Sequence, residues 1–92
     1  MENKTAMMTF GCALEAAKKG CKISRRGWNG KGQYVFLVDG IEFHTNADLS
    51  DLDGQDVEVH DAMAIKTTSG VIQVGWLASQ SDMLADDWVI VG

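Results

Sequence analysis

Two segments of this chain are apolar on both of their alternating faces: Tyr-Val-Phe-Leu-Val at residues 34–38 and Trp-Val-Ile-Val at residues 88–91. Successive side chains of a β-strand point to opposite faces of the sheet, so both faces of these strands need cover. The sequence contains only one substantial helical pattern, and one helix covers one face. We therefore expect the other face of the sheet to be a subunit interface.

The sequence predicts an α+β fold with a mainly antiparallel sheet. Thr9 can cap a helix over residues 10–19, with Gly20 just beyond its last turn. A second, short helix is predicted over residues 79–85. Alternating hydrophobicity and turn residues indicate about five to seven short strands. These strands are predicted at residues 21–26, 33–38, 41–44, 57–60, 63–67, 71–76 and 88–91.

Size and charge restrict the classes of partner. The 92 residues are expected to form a single domain, residues 1–92, in which residues 1–7 are frayed. So short a chain has a thin core, and assembly into a homo-oligomer would enlarge its buried surface. Thirteen acidic against eight basic residues give a net charge of −5, which opposes binding to DNA or long RNA. A small anionic molecule held by one or two arginines remains compatible with that charge.

The cysteines and the hydropathy pattern indicate a cytosolic protein. Cys12 and Cys21 are expected to be free, buried thiols. No apolar run approaches the roughly 18 residues that a membrane span requires, so no membrane partner is expected. Residues 45–56 are acidic and rich in turn-forming residues, and we expect an exposed loop there.

Metal binding and catalysis find little support in the sequence. Around Gly54, a calcium loop would place Leu49 and His60 at its first and last ligand positions, where neither residue type fits. His44 and His60 have no metal-ligand partner at a suitable spacing. No ordered nucleophile and base can be named, so no enzyme, metal or cofactor is expected, although catalysis by paired carboxylates stays open.

All three tryptophans stand beside polar or charged residues. A tryptophan offers a large flat surface and one N–H donor, a combination typical of a core or of a site that stacks a flat ligand. Trp28 and Asn29 lie in a glycine-rich loop, which favours a ligand-facing or interface position, whereas Trp88 begins an apolar strand and is predicted in the core. Arg25 shares the apolar side of its strand and is a candidate to bind a ligand or to cross an interface.

The C-terminal motif allows two interpretations. Ser79 and Asp82 have the spacing of a capping box, which is a structural feature of a helix start. The backbone N–H groups of that helix start, next to Trp76, could also hold a phosphate or a sugar hydroxyl. Asp86 and Asp87 could accept hydrogen bonds from ribose hydroxyls or be solvated, and solvation is favoured for Asp86.

Four motifs, in the same order along the chain, closely resemble a family of small phage proteins that was long known only as a domain of unknown function. The resemblance spans about residues 8–91. The motifs are Met8-Thr9-Phe10-Gly11-x-Ala13-Leu14-Glu15-Ala16, Arg25-x-Gly27-Trp28-Asn29-Gly30, Ala62-Met63-Ala64-Ile65-Lys66-Thr67 and Trp76-x-x-Ser79-Gln80-x-Asp82-Met83-Leu84-Ala85-x-Asp87-Trp88. Members of this family are described as Thoeris anti-defence proteins of the second type.

The resemblance implies a sponge, which binds and sequesters the cyclic ADP-ribose signal of a bacterial TIR-domain enzyme without cleaving it. It also implies homotetramers with ligand pockets between protomers, action in the cytoplasm of the infected bacterium, and separate sites for cyclic dinucleotides of CBASS defence in some members. With Arg25 added from its position, the expected ligand-binding set is Arg25, Trp28, Asn29, Trp76, Ser79, Gln80, Asp82 and Asp87.

Two other functions compete with the sponge. In the first, the chain is a phage structural module or a host-protein-binding module without a nucleotide ligand, and the same residues build the oligomer. In the second, it is a weak hydrolase of the same nucleotides that uses Asp82, Asp86 or Asp87.

Overall fold

A computed structural model describes residues 6–28, 31–40 and 44–92. Its sheet has five antiparallel strands in the order β4-β3-β2-β1-β5, which confirms the predicted α+β class. A 3₁₀ turn, Ser50–Leu52, lies in the exposed acidic loop. The helices and strands are α1 (Phe10–Lys18), β1 (Lys22–Arg25), β2 (Tyr34–Val38), β3 (Ala62–Lys66), β4 (Ile72–Val74), α2 (Gln80–Leu84) and β5 (Trp88–Val91).

Helix α1 begins and ends where local chemistry predicts. The hydroxyl of Thr9 accepts a hydrogen bond from the backbone N–H of Cys12 (3.3 Å), so it caps the first turn. Gly20 follows the helix with a φ of 102°, a conformation that residues with a side chain rarely adopt. The expected burial of both cysteines is wrong: Cys12 is exposed, because the buried stripe of α1 runs through its neighbours Ala13 and Ala17.

One face of the sheet packs against α1 and forms the core. Ile23 of β1 lies opposite Val35 of β2 and Ile90 of β5, and residues directly opposite each other share a face. Trp88 lies opposite Arg25 on that same face. The fully buried residues that pack together in this core are Ala13, Ala17, Ile23, Val35 and Trp88, while Ala64, which is also fully buried, lies on the other face of the sheet.

The remaining residues of each strand form the outer face, which α1 does not cover. Val74 of β4 lies opposite Ala64 of β3, which in turn lies opposite Phe36 of β2. The side chains of Ile72 and Val74 are 56% and 52% exposed. The apolar residues of the outer face are Tyr34, Phe36, Val38, Ala62, Ala64, Ile72, Val74, Val89 and Val91. An apolar face without a helix over it is therefore present in the described part of the chain.

One predicted strand requires correction. Residues 57–60 form no strand, and Val57 and Val59 are 54% and 43% exposed, so their alternation with polar residues does not place them on a core. The hairpin strand at residues 41–44 lies outside the described residues except for His44, which is in no strand.

Gly40 follows β2 and lies against the segment that leads into β3. Its N–H donates to Asp61 Oδ1 (2.9 Å), and a Cβ atom at this position would overlap the carbonyl oxygen of Val59. The contact atoms are main chain, so they cannot move aside as a flexible side chain would. This position therefore requires glycine for steric reasons.

We expect Gly40→Ala to lower the free energy of unfolding by about 1–3 kcal/mol, because the new methyl group forces the backbone apart. Gly11→Ala is the matched control, because Gly11 lies in exposed helix, with only the Thr9 hydroxyl, at 4.0 Å, near the new Cβ. Alanine there should stabilise by up to about 1 kcal/mol. Urea unfolding of both variants gives the two values, and a destabilisation no larger at Gly40 than at Gly11 would contradict the steric argument.

Candidate functional site

The three tryptophans, which are distant in sequence, form one aromatic cluster around Trp88. The ring of Trp28 lies 5.3 Å from that of Trp88, at an interplanar angle of 76°. Trp76 contacts both, at centroid distances of 6.4 Å and 6.2 Å, again edge to face. Phe10 of α1 completes the cluster at 5.2 Å from Trp88. Edge-to-face contacts of this kind stabilise by about 0.5–1.5 kcal/mol each beyond the burial of area.

Exposure separates the tryptophans into two kinds. Trp88 is fully buried, which confirms its predicted place in the core. Trp28 and Trp76 are only partly buried and pack against the core from its rim. Part of each of these two indoles is therefore open to solvent above a rigid aromatic base.

Asp82 of α2 accepts hydrogen bonds from distant parts of the chain. Its Oδ1 atom accepts from Trp28 Nε1 (3.3 Å) and from Arg25 Nη1 (3.0 Å). Its main-chain oxygen accepts from Trp88 Nε1 (2.8 Å). The indole N–H groups of two tryptophans therefore donate hydrogen bonds to the same residue.

Arg25 and Asp87 form the other half of this polar network. Arg25 Nε donates to Asp87 Oδ1 (2.9 Å), and the N–H of Gly27 donates to Asp87 Oδ2 (2.8 Å). The side chains of Arg25, Asp82 and Asp87 are 20%, 14% and 24% exposed, so water screens these charges only in part. The guanidinium that was considered for a ligand or an interface is thus paired within the chain.

The ion pairs shift the ionisation of all three groups. The hydrogen bond from Arg25 is the main cause that lowers the pKa of Asp87 below its ordinary value. Burial raises the pKa of Asp82, but the hydrogen bonds from Arg25, Ser79 and Trp28 outweigh it and leave that pKa lowered. Hydrogen bonds to Asp87 and then Asp82 raise the pKa of Arg25. Carboxyls with lowered pKa values are poor general acids near neutral pH, which weakens the case for a hydrolase.

The capping box predicted at the start of α2 is present. The hydroxyl of Ser79 accepts from the N–H of Asp82 (3.1 Å), and the N–H of Ser79 donates to Asp82 Oδ2 (3.3 Å). Two of the backbone donors considered for a phosphate are therefore used by the helix itself. Gln80, the first residue of α2, is exposed beside them, while Asn29 lies outside the described residues.

Two contributors were not among the predicted site residues. Phe10 was assigned only to the apolar stripe of α1, but its ring also lies 6.4 Å from that of Trp76. Gly27 supplies a backbone donor to Asp87, and a Cβ there would stand 2.8 Å from Asp87 Oδ2. Phe10 and Gly27 both belong to the motifs that resemble the phage family. Their place in those motifs was the only sequence feature that pointed to them.

Other features of the described residues do not add to this cluster. A cleft of about 390 Å³ lies elsewhere, against Val38, Gly40, Val59 and His60, and contains none of the predicted site residues. The aromatic cluster is the better candidate, because the predicted polar and aromatic groups converge there. Among the described residues, no group of three or more potential metal ligands occurs. None of the helices described is long and apolar enough to cross a membrane.

The lowered pKa values of Asp82 and Asp87 predict a loss of stability in acid. The unfolded chain binds more protons at low pH, so the free energy of unfolding should be level above the ordinary aspartate pKa of about 3.9 and fall as the pH drops through the lowered values. Asp87→Asn should cost about 1–3 kcal/mol at neutral pH and flatten this acid dependence. Urea unfolding at several pH values, at one protein concentration, measures both effects.

Asp86→Asn is the control for that measurement, because Asp86 is a neighbouring carboxylate on the exposed surface. This variant should follow the wild type at every pH. An acid dependence of Asp87→Asn that also follows the wild type would show that the ion pair with Arg25 does not contribute to folding.

Comparison with known proteins agrees with this arrangement of motifs. The model of the Thoeris anti-defense 2-like domain family matches residues 8–91, which include both helices, all five strands and the aromatic cluster. The chain is also similar to the protein Thoeris anti-defense 2 of Bacillus phage SP01, with 37% identity over 86 residues that cover 91% of this chain and 94% of that protein. The chain therefore belongs to the Thoeris anti-defense 2-like domain family.

Proposed function

We propose that this chain acts against Thoeris defence as a sponge, which binds and sequesters a cyclic ADP-ribose type signal without cleaving it. Membership of the family supports a phage anti-defence role. The sponge mechanism is the proposed step, and it places the protein in the cytoplasm of the infected bacterium, where the signal is made.

The observation that carries this proposal is the partial exposure of Trp28 and Trp76 over buried Trp88. An adenine ring can stack on an indole, and base–aromatic stacking is worth about 1–3 kcal/mol per base. The indoles are held edge to face in the free protein. Little order then has to be created on binding, which favours the nanomolar affinity, about −12 kcal/mol, that a sponge requires.

The remaining predicted residues complete the proposed ligand site around these rings. Ser79 and Gln80 at the exposed start of α2 supply polar groups for ribose and phosphate, and Asn29, which follows Trp28 in the sequence, is proposed to add another. Arg25, Asp82 and Asp87 form the charged base of the site. The ion-paired state of these carboxylates supports sequestration rather than hydrolysis, since the lowered pKa values of Asp82 and Asp87 favour their ionised forms, which cannot act as general acids.

We further propose that the protein is a homo-oligomer, a tetramer by resemblance, with ligand sites between protomers. Leu77 and Leu84, which lie between Trp76 and Trp88 in the sequence, are 88% and 81% exposed, so apolar side chains of this segment are available to a second protomer. The outer face of the sheet offers a second apolar surface, with Lys22 and Lys66 over the ring of Tyr34. Cyclic dinucleotides of CBASS would bind at separate sites.

The proposed function is tested by recovery of the intact ligand. The purified protein is incubated with the cyclic ADP-ribose isomer made by a Thoeris TIR-domain enzyme, freed of unbound ligand and denatured by heat, and the released molecules are identified by mass spectrometry. A sponge should release unmodified ligand in a fixed ratio to protein. Release of a cleaved product would indicate a hydrolase, and no release at all would favour the structural or host-protein-binding module.

The interface proposal predicts that a charge on the outer face breaks the oligomer. Ile72→Glu should lower the molar mass in solution, measured by light scattering after size exclusion, because an unpaired carboxylate in an apolar interface is costly. Val57→Glu is the matched control: Val57 is 54% exposed, close to the 56% of Ile72, but lies in no strand. A monomeric wild type, or equal effects of both variants, would contradict the proposed interface.

A further inference from the structure

We infer that Asp82 is a positioning residue, which orients Trp28 for ligand stacking through its carboxylate and does not itself contact the ligand. This inference rests on the proposed function, because it divides the predicted ligand-binding residues into those that touch the ligand and those that hold them in place. Arg25 and Asp87 belong with Asp82 in the second group.

The hydrogen-bonding capacity of Asp82 is largely used within the chain. One carboxylate oxygen accepts from Trp28 Nε1 and Arg25 Nη1, and the other accepts from the N–H of Ser79. A carboxylate has about four acceptor positions, so three internal donors leave little for a ribose hydroxyl. The side chain is also only 14% exposed. Asp82 is therefore poorly placed to meet a ligand from solution.

Its contacts do determine the angle between two tryptophans. Trp28 Nε1 donates a hydrogen bond to the side chain of Asp82, and Trp88 Nε1 donates one to the main-chain oxygen of Asp82 at 2.8 Å. Trp88 is completely buried, so Asp82 links the Nε1 end of the Trp28 ring to a residue of the core. The two rings accordingly meet at 76°. Without this hydrogen bond, rotation of Trp28 about its χ angles is restrained only by ring contacts.

Arg25 and Asp87 hold the backbone that carries Trp28. Asp87 accepts from the N–H of Gly27 through its side chain and from the N–H of Arg26 through its main chain (3.0 Å). Arg25 joins the two carboxylates through Nη1 and Nε. The turn before Trp28 is thereby attached to the segment that precedes β5.

The charge of this network also argues against a direct role in binding phosphate. One guanidinium is paired with two carboxylates, so the three groups together carry a net charge of −1. A diphosphate bound to Arg25 would lie close to the carboxylates of Asp82 and Asp87, which are also negatively charged. Water screens this repulsion only in part, because the three side chains are largely buried. The anionic part of a ligand is therefore expected to lie away from Arg25.

The first test needs no ligand. In a ¹H–¹⁵N spectrum the three indole N–H groups give separate signals, and Trp28→Phe identifies that of Trp28. Asp82→Ala should shift the Trp28 signal and accelerate its hydrogen exchange by about tenfold or more, while the Trp88 signal keeps its main-chain acceptor and its slow exchange. Asp82→Asn retains an oxygen acceptor and should restore slow exchange of Trp28 in part. Asp86→Ala, the control, should change neither signal.

The second test measures affinity for the cyclic ADP-ribose isomer of a Thoeris TIR-domain enzyme in a double-mutant cycle. Asp82→Ala should weaken binding by about tenfold to a hundredfold. If Asp82 acts through Trp28, the double variant Asp82→Ala/Trp28→Ala should bind no more than about threefold more weakly than Trp28→Ala alone. Full additivity of the two losses would overturn the positioning role, because it would indicate a direct contact.

The two proposals fail in different ways. No binding by the wild type would overturn the proposed function. An unchanged Trp28 signal in folded Asp82→Ala would overturn the positioning role whatever the ligand. If Asp82→Ala does not fold, Asp82→Asn is used in its place. The inference is contradicted if the Trp28 indole of Asp82→Asn exchanges as fast as an indole without a hydrogen-bond acceptor, or if the affinity losses of Asp82→Asn and Trp28→Ala are additive.

Discussion

The complete burial of Trp88 is the constraint on which the rest of this structure depends. A chain of 92 residues with one substantial helix can bury few large side chains. One buried tryptophan removes about 150–250 Å² of surface from water, so it forms a large part of so small a core. Trp88 lies opposite Arg25 in the sheet, its backbone bonds to Met8, and its indole contacts Phe10 and Trp28. The N-terminal segment, β1 and α2 all take their positions from it.

The candidate site is therefore built from residues that also pack on the core. Phe10, Trp28 and Trp76 pack on Trp88, and the polar network lies beside them. The rings of this site are already packed and hydrogen-bonded without a ligand, and such preorganisation reduces the entropy lost on binding. It also means that a substitution in the site changes folding stability together with affinity. Function can then be separated from stability only by comparison with neighbours such as Asp86 that lack these contacts.

The two faces of the sheet differ in burial, because the single substantial helix covers only one of them. Helix α1 packs on the core face through the small side chains of Ala13 and Ala17, and this nine-residue helix covers only that face. Ile72 and Val74 on the outer face are left more than half exposed, at 56% and 52%. Exposed apolar area of this kind is typical of a surface that meets a partner, and a second copy of the chain is the partner that we propose.

The sequence by itself determined the elements whose causes are local. Thr9 and Gly20 bound α1, Ser79 and Asp82 form the predicted capping box, and the apolar run at Trp88–Val91 is a core strand, because each depends on residues only a few positions apart. The same local reasoning was wrong for residues 57–60, where hydrophobic and polar residues alternate in a segment that forms no strand.

Only the tertiary structure decided the partners of the charged and aromatic side chains. Arg25 is separated by 57 residues from Asp82 and by 62 from Asp87, and no periodicity in the sequence relates positions so far apart. The sequence placed Arg25 and the tryptophans among the candidate residues but left open whether they face a ligand, an interface or each other. Their contacts with one another depend on the antiparallel pairing of β1 with β5, which brings Arg25 opposite Trp88.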